Sequence, residues 1–266
     1  MKQAVLTRYR IRFRNKKFGK GNFRIAYLTD LHDASGREEL DHTLRLLQEA
    51  KPDLVLSGGD MLTAHPGRSP EKSVAFMTEL SSSWKVYSAL GNHEYRARIY
   101  PEDYGSLYRD YMEPVRKAGV TFLDNDHLDL NAGGIPVRLY GLSLPRKYYR
   151  RLTRTELSIE EINKLLGRPQ PDRMNLLLAH NPRYLESYIR WGADLTLCGH
   201  YHGGIVRIDE HKGLIAPDFE LMSPRCCGHY SKDNRHVLIS AGMGEHTIPV
   251  RIHNPREIVL ADVSWS

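Results

Sequence analysis

The sequence predicts a layered α/β fold, with sheets flanked by helices, as a single domain over residues 1–266. First, apolar runs of strand length alternate with longer stretches of helical periodicity. Second, the 266 residues are 41% hydrophobic and 26% charged, which is typical of a globular protein with a large core. Third, no repeat and no Pro/Ser-rich linker divides the chain, so we expect no second domain.

The first half of the chain predicts three buried strands separated by helices. Each strand is a short apolar run, and each amphipathic helix has apolar residues three or four positions apart. The first helix ends before Pro52, and the last is stopped by Gly119. In chain order, strands are predicted over 24–29, 54–56 and 86–90, and helices over 40–50, 71–82 and 107–118.

The second half continues this alternation with more strands. Ser158 and Glu161 form a capping-box pattern at the start of a short helix, which ends at Gly167. Pro182 is suited to the first position of another helix, which ends at Gly192. Strands are predicted over 120–123, 128–130, 137–142, 176–178, 195–197, 237–240 and 258–261.

Five of the predicted strands end in side chains that can bind a metal ion. Ligands of open α/β sheets bind outside the carboxyl ends of the strands, so these segments are expected to meet in one crevice. Carboxylate, amide and imidazole groups suit Mn, Fe or Zn. Residues two apart in an extended chain point to the same side. We therefore expect Asp30 to point with His32, and His200 with His202. The segments are Asp30-Leu-His32, Gly59-Asp60, Gly91-Asn-His-Glu94, Ala179-His180 and Gly199-His-Tyr-His202.

Each segment alone has an ordinary explanation. Asp-x-His and Gly-Asp arise often by chance, and a single histidine such as His180 is more often a hydrogen-bonded polar residue than a ligand. Gly-Asn-His-Glu and Gly-His-x-His are more specific. All five occur in one order, each after an apolar strand, and the set as a whole therefore favours a metal centre.

In this order the motifs resemble those of the calcineurin-like metallophosphoesterase superfamily, whose series is D-x-H, G-D, G-N-H-[DE], H and G-H-x-H. The match spans residues 30–202, and segments 242–251 and 255–260 resemble the bacterial branch of stand-alone phosphohydrolases, several of which are membrane-associated. The resemblance implies a four-layered αββα sandwich of two mixed sheets with a two-metal site at one end. It also implies a metal-dependent hydrolase that cleaves a phosphoester or pyrophosphate bond.

The resemblance further implies a ligand set for two divalent ions. Asp60 is expected to bridge them, because each of its two oxygens can bind one ion. A hydroxide shared by the ions would attack phosphorus, and His93 would protonate the leaving oxygen as a general acid. The implied ligands are Asp30, His32, Asp60 and His202 for one ion, and Asp60, Asn92, His180 and His200 for the other.

Two positions depart from the family pattern. The protein-phosphatase branch has an Asp at the third position after Gly-Asp, where it orients the histidine acid, whereas this chain has Thr63. What holds His93 is therefore an open question. Asp33 directly follows the D-L-H motif, and it is either an additional carboxylate near the metals or a residue without a role there.

Three residues outside the motifs are candidates for contact with substrate. Arg251 is predicted to bind a phosphate group, with a structural salt bridge as the alternative. Tyr148 and Tyr149 are suited to a lid over the site, and surface packing explains them equally well.

The positive charge of the chain is concentrated at its N-terminus. Residues 1–24, a basic strand or arm, contain nine Lys/Arg and no acid, so a chain of net charge +6 has a body of net charge −3. This distribution disfavours nucleic acid as a partner. Residues 9–14 alternate Arg with apolar or aromatic side chains, as suits an edge strand protected from aggregation. The alternative is that these arginines, with the basic segment 145–154, contact anionic lipid head groups.

The leading hypothesis is a dinuclear-metal phosphohydrolase that acts on a phosphorylated small molecule, either lipid-like or nucleotide-linked, with Mn, Fe or Zn as the metal. The alternative is a catalytically silent scaffold of the same fold that binds protein. A scaffold is expected to have lost ligands, whereas every ligand position is filled here.

The location is predicted from three expected absences, of a membrane span, a secretory signal and a disulfide framework. The longest stretch without Asp, Glu, Lys or Arg is only 12 residues, so no membrane span and no secretory signal is expected. Three cysteines do not suggest a disulfide framework. We therefore expect a cytoplasmic protein, with peripheral contact to the inner membrane face as a hypothesis.

Overall fold

A computed structural model describes residues 3–14, 20–34, 36–150, 155–204, 207, 213–215, 221–223, 225–245 and 251–265. Three features predicted from the sequence lie partly outside these residues. They are the basic N-terminal arm, the basic segment 145–154 and the tail segment 242–251.

Strands and helices alternate along the described chain, and every strand and helix predicted above is present within a few residues of its predicted ends. No helix in the described part is long and apolar enough to cross a bilayer. The elements are β1 (Val5–Phe13), β2 (Gly21–Leu28), α1 (Arg37–Ala50), β3 (Leu54–Ser57), α2 (Glu71–Ser83), β4 (Val86–Ala89), α3 (Asn92–Ile99), α4 (Pro101–Tyr104), α5 (Leu107–Lys117), β5 (Thr121–Leu123), β6 (Asp126–Ala132), β7 (Ile135–Leu142), α6 (Ile159–Leu166), β8 (Met174–Ala179), α7 (Leu185–Trp191), β9 (Leu195–Cys198), β10 (Gly213–Ile215), β11 (Leu221–Ser223), β12 (Gly228–Lys232), β13 (Arg235–Ile239) and β14 (Glu257–Trp265).

The described strands form two six-stranded sheets and one separate two-stranded ribbon, β10–β11. The first sheet has the order β1-β14-β2-β3-β4-β5; β2 to β5 are parallel, and β14 is antiparallel to β2. The second has the order β12-β13-β9-β8-β7-β6; β13 to β7 are parallel, with antiparallel strands at both edges. Both sheets are therefore mixed, as expected.

Three hydrophobic clusters separate four layers. The cluster between the sheets contains side chains from both, such as Ile25 and Leu56 of the first sheet and Leu139 and Leu176 of the second. Another cluster lies between the first sheet and α1, α2 and α5, and the third lies between the second sheet and α6 and α7. Each sheet buries one face on its partner and the other on helices. The four-layered αββα sandwich is thus confirmed.

Strand β1 carries the alternating arginines of the N-terminus. Among the described strands it pairs only with β14, in parallel, so it lies at an edge of the first sheet. Ile11 and Phe13 are buried between the sheets, whereas Arg8, Arg10 and Arg12 are exposed on the opposite face. We call these three arginines the cationic face.

Candidate metal centre

The seven candidate ligands lie at the carboxyl ends of five strands. Segments after β2, β3 and β4 supply ligands from the first sheet, and segments after β8 and β9 supply ligands from the second. These strands are parallel within each sheet, so their carboxyl ends share one edge. The two edges meet, because His180 Nε2 lies 3.0 Å from Asp60 Oδ2. The ligands are Asp30, His32, Asp60 and Asn92 from the first sheet, and His180, His200 and His202 from the second.

Three groups of the described side chains have the spacing of metal sites, with ligand atoms that all lie within 4.8 Å of one another. Two of them consist only of candidate ligands: Asp30, His32 and His202, and Asp60, His180 and His200. The third joins His32 and Asp60 to His93. Asp60 also approaches the first group, since its Oδ2 is 3.9 Å from His32 Nε2. The two groups are therefore adjacent, and Asp60 contacts members of both.

Two further features fit a bound cation. Asn92 Oδ1 is buried and accepts no hydrogen bond from the described residues, so this oxygen is available as a ligand. His180 donates from Nδ1 to the Gly58 carbonyl, 2.9 Å away, and this bond directs Nε2 toward the carboxylates. Carboxylate and imidazole donors suit Mn, Fe and Zn. The Asp and His clusters are therefore able to hold metal ions.

Burial and mutual charge shift the pKa values of three ligands. Burial raises the pKa of Asp30 to about 6, against the opposing charge of His180. Burial also favours a raised pKa for Asp60, but the neighbouring histidines outweigh it and hold this pKa well below its usual value. For His180, burial lowers the pKa, but the two carboxylates raise it to about 9. The ligands by themselves thus favour a positive charge between the carboxylates, which a metal ion also supplies.

The ligand loops are not extended. Five ligands have φ between 50° and 68°, in the left-handed region, and these are Asp30, His32, Asp60, His200 and His202. Residues other than glycine rarely adopt it. The expected extended backbone is therefore wrong. Asp30 and His32 nevertheless lie in one ligand group, whereas His200 and His202 lie in different groups. Tertiary hydrogen bonds hold the conformation instead: the amide of Asp30 donates to Gly59 O at 3.0 Å, and that of His32 to Asp60 O at 3.1 Å.

Two motif glycines allow the backbone to lie against the ligand carboxylates. A Cβ atom at Gly91 would be 2.2 Å from Asp60 Oδ1. One at Gly199 would be 2.2 Å from Asp30 Oδ2. In place of a side chain, the amide of His93 donates to Asp60 Oδ1 at 2.7 Å. The first positions of G-N-H-E and G-H-x-H therefore require glycine, because the backbone lies too close to a ligand carboxylate for a Cβ atom.

Glu94 has a role that the motif pattern alone did not reveal. Its carboxylate accepts hydrogen bonds from the amides of Asp60 and Met61, both at 2.8 Å, and of Gly91 at 3.0 Å. Burial raises the pKa of Glu94 to about 7, and the charge of Asp60 adds to the rise. Glu94 thus ties the Asp60 loop to the start of α3. The available signal was an acidic residue in the first turn of a helix, where it caps backbone amides.

His93 is held by a backbone amide. The Ala64 N–H donates to His93 Nδ1 over 2.8 Å, so the neutral ring carries its proton on Nε2. The ring also packs edge-on against His32, with centroids 4.7 Å apart. A backbone amide thus contacts Nδ1 at the place where the protein-phosphatase branch has a carboxylate.

Asp33 lies outside the metal-ligand groups of the described residues. Its carboxylate accepts hydrogen bonds from the Thr63 amide at 2.8 Å and from Ser73 Oγ at 2.5 Å. Burial raises the pKa of Asp33. Asp33 therefore connects the loop after β2 to the loop after β3 and to α2.

Arg251 lies beside the centre and faces backbone carbonyls. Its Nη2 donates to Ala241 O at 2.8 Å and to Gly244 O, and lies 3.5 Å from His202 Nδ1. Burial lowers the pKa of Arg251 to about 10. It forms no salt bridge with the described residues. Its contact with a phosphate group stays a prediction.

The two adjacent tyrosines occupy different environments. Tyr148 is buried against Tyr184, with ring centroids 5.5 Å apart, so surface packing does not describe it. Tyr149 packs edge-on against His200, with ring centroids 5.3 Å apart. Burial raises the pKa of Tyr149 well above its usual value, and the charge of Asp60 adds to the rise. The Tyr149 hydroxyl therefore stays protonated beside the group formed by Asp60, His180 and His200.

Comparison with known proteins agrees with this architecture. The model of the calcineurin-like phosphoesterase family matches residues 23–204, a span that includes all seven candidate ligands. The chain is 28% identical over 242 residues to an uncharacterized metallophosphoesterase of Helicobacter pylori, covering 88% of this chain and 58% of the relative. It is 24% identical over 251 residues to one of Aquifex aeolicus, covering 93% and 88%.

Among solved structures, the NAD nucleotidase NadN of Haemophilus influenzae has a similar fold, with a TM-score of 0.53 and 14% identity, covering 84% of this chain and 46% of that one. The chain spans about half to three fifths of the length of several curated relatives that it matches. Because the family model covers more than half of the chain, together with the whole ligand set, the protein belongs to the calcineurin-like phosphoesterase family.

Proposed function

We propose that this protein is a dinuclear-metal phosphohydrolase that cleaves a phosphoester or pyrophosphate bond. The observation that supports it most is the pair of adjacent ligand groups, with Asp60 close to both. Family membership supports phosphoester hydrolysis as the reaction class. The proposed cofactors are two ions of Mn, Fe or Zn, because the donors are carboxylate, amide and imidazole groups.

The chain's own residues have separate proposed roles. Two divalent ions, when bound, activate water as a nucleophile and neutralise charge on the phosphoryl oxygens. His93 donates a hydrogen bond from Nε2 to the leaving oxygen as its bond to phosphorus breaks. We prefer this role to full proton transfer, because the Ala64 amide fixes a neutral ring that gives up its remaining proton only at high energetic cost. Tyr149, protonated and packed on His200, donates a hydrogen bond to a phosphoryl oxygen.

Metal analysis and turnover test this proposal together. Protein loaded with Mn²⁺, Fe²⁺ or Zn²⁺ is expected to hold two ions per chain. It should also hydrolyse at least one of a chromogenic phosphodiester, a chromogenic phosphomonoester and a dinucleotide pyrophosphate. Two bound ions without turnover of any of the three would favour the alternative of a catalytically silent scaffold. The complete ligand set disfavours that alternative.

The proposed substrate is a phosphorylated small molecule, lipid-like or nucleotide-linked, and the cationic face supports the lipid-like class. Arg8, Arg10 and Arg12 are exposed together and form no ion pair with the described residues. Each Lys or Arg near an anionic membrane contributes about 1 kcal/mol, so three together support reversible binding. We therefore propose a cytoplasmic location with contact to anionic lipid at the inner membrane face.

A further inference from the structure

Three successive peptide groups next to His93 are each held by a different side chain. The N–H of Thr63 donates to Asp33 Oδ2 at 2.8 Å. The next N–H, of Ala64, donates to His93 Nδ1 at 2.8 Å. The following peptide presents Ala64 O, which accepts from Arg96 Nη2 at 2.9 Å. The amide that contacts His93 therefore lies between two anchored peptides.

Two further hydrogen bonds fix Asp33, the residue that accepts from the Thr63 amide. Its second oxygen accepts from Ser73 Oγ at 2.5 Å, and its own amide donates to Met61 O at 3.0 Å. Only 7% of the residue is exposed. A buried carboxylate with donors on both oxygens is a rigid acceptor, since breaking one bond leaves buried polar atoms unpaired.

Arg96 holds the peptide group that follows the Ala64 amide, through its hydrogen bond to Ala64 O. It follows His93 by three positions in α3, so the two side chains share one face of the helix. Its Nη2 is 3.5 Å from His93 Nδ1, and its guanidinium carbon lies 5.9 Å from the centroid of the Tyr104 ring. An arginine only donates hydrogen bonds, so it favours a His93 ring whose Nδ1 carries no proton.

We propose that Asp33 and Arg96 are positioning residues for His93 and act through the peptide groups around Ala64. They set the direction of the Ala64 amide, which fixes the His93 ring and keeps its proton on Nε2. In this chain they take over the orienting task that Thr63 is unable to perform. The expected effect on turnover rests on the proposed function, whereas the effect on the ring does not.

Kinetic measurements in the wild-type and His93→Ala backgrounds test the proposal. With the metal-loaded protein, Asp33→Ala and Arg96→Ala are each expected to lower kcat by about 10- to 100-fold, because a misplacement of about 1 Å has effects of this size. KM and metal content should not change. In a His93→Ala background both substitutions should add no further loss, since the residue that they position is gone. A merely structural role would reduce kcat in both backgrounds.

Conservative and matched variants sharpen the comparison. Asp33→Asn keeps an acceptor for Thr63, and Arg96→Lys keeps a donor for Ala64 O, so both should recover most of the lost kcat. Arg98→Ala is the matched control, because Arg98 lies on the same helix and pairs with Asp124 instead. Its kcat should equal that of the wild type. If Asp33→Ala folds poorly, the Arg96 variants carry the test.

Long-range proton–nitrogen NMR spectra of the Zn²⁺-loaded protein give a readout independent of turnover. The His93 signals are assigned by their loss in His93→Ala. We expect the Nε2-protonated tautomer in the wild type, and a mixture of tautomers in Asp33→Ala and Arg96→Ala. An unchanged tautomer in both variants, or equal kcat losses in both backgrounds, would overturn the proposal. A wild type without phosphohydrolase activity would refute the proposed function, and the spectra alone would then decide the positioning.

Discussion

Asp60 Oδ2 and His180 Nε2 lie 3.0 Å apart, although one follows a strand of the first sheet and the other a strand of the second. The same carboxylate oxygen is 3.9 Å from His32. Asp60 thus contacts ligands of both proposed ions, and the first prediction depends on this position.

Replacing Asp60 by Ala is expected to remove both proposed ions and all turnover, because this carboxylate lies 3.0 Å from His180 in one ligand group and 3.9 Å from His32 in the other. Metal content per chain, measured by plasma mass spectrometry after dialysis, checks this. Asp41→Ala is the control, since this carboxylate pairs with Arg37 on the surface of α1. An Asp60→Ala protein with two tightly bound ions and normal turnover would contradict the ligand assignment.

Replacing His93 by Ala should lower kcat by about 10²- to 10³-fold with metal content unchanged, the usual effect of removing one hydrogen-bond donor to developing negative charge. The loss should grow as the leaving group becomes more basic, because a more basic oxygen needs the donor more. A series of aryl phosphoesters measures this dependence.

His65→Ala is the control for His93, since the exposed His65 follows Ala64 directly and its Nδ1 bonds to Pro66 O. An equal loss for all leaving groups in His93→Ala would mean that the ring does not contact the leaving oxygen.

Replacing Tyr149 by Phe is expected to reduce kcat/KM by about 10- to 100-fold, because a hydrogen bond to a charged group contributes about 1.5–3 kcal/mol. The ring contact with His200 remains in this variant, so metal content should not change. Tyr148→Phe provides the comparison, since the neighbouring Tyr148 ring packs on Tyr184. Equal kcat/KM in Tyr149→Phe and wild type would exclude a hydrogen bond from this hydroxyl to substrate.

Neutralising the cationic face, by changing Arg8, Arg10 and Arg12 to Gln, should abolish co-sedimentation with anionic vesicles at low salt. Binding by the wild type should weaken as salt rises, because ions screen the attraction. A control protein carries three Gln substitutions at exposed basic positions elsewhere, namely Arg45, Lys72 and Arg168. Wild-type binding that is equal for neutral and anionic vesicles would leave only the protection of the sheet edge as a role for these arginines.

His236 is expected to weaken the protein in acid. Burial, together with the nearby His229, lowers the pKa of His236 from 6.5 to about 4. Between these values the unfolded chain binds a proton that the folded chain does not, so stability falls as pH drops from about 6.5 to about 4. In His236→Gln this part of the pH dependence should disappear, as measured by denaturant unfolding across the range.

His127→Gln is the control for His236, because His127 is exposed on β6. If the wild type and His236→Gln lose stability equally between neutral and acid pH, this assignment is wrong.

The sequence was sufficient to predict the five strands that carry the ligands and the convergence of their carboxyl ends, because each of these strands is an apolar run followed by a polar residue. It did not predict β10, β11 or β12. It was insufficient for α3, whose eight residues bury Glu94 and Ala97 and show no amphipathic spacing. The left-handed backbone conformation of the ligand loops was also not predictable from the sequence. The φ of Asp30 is held by bonds to Gly59 and to other distant segments, and local sequence does not encode such contacts. The partner of His93 is a backbone amide, which any residue at position 64 except proline would provide.

The division of ligands between the sheets also has a consequence for assembly of the protein. Each ligand group takes members from both sheets, so a chain with only one sheet formed holds an incomplete set for either ion. During synthesis or refolding, tight metal capture must then wait until the two sheets dock. Under the proposed function, a half-folded molecule is then expected to be inactive, and metal uptake to accompany docking of the two sheets.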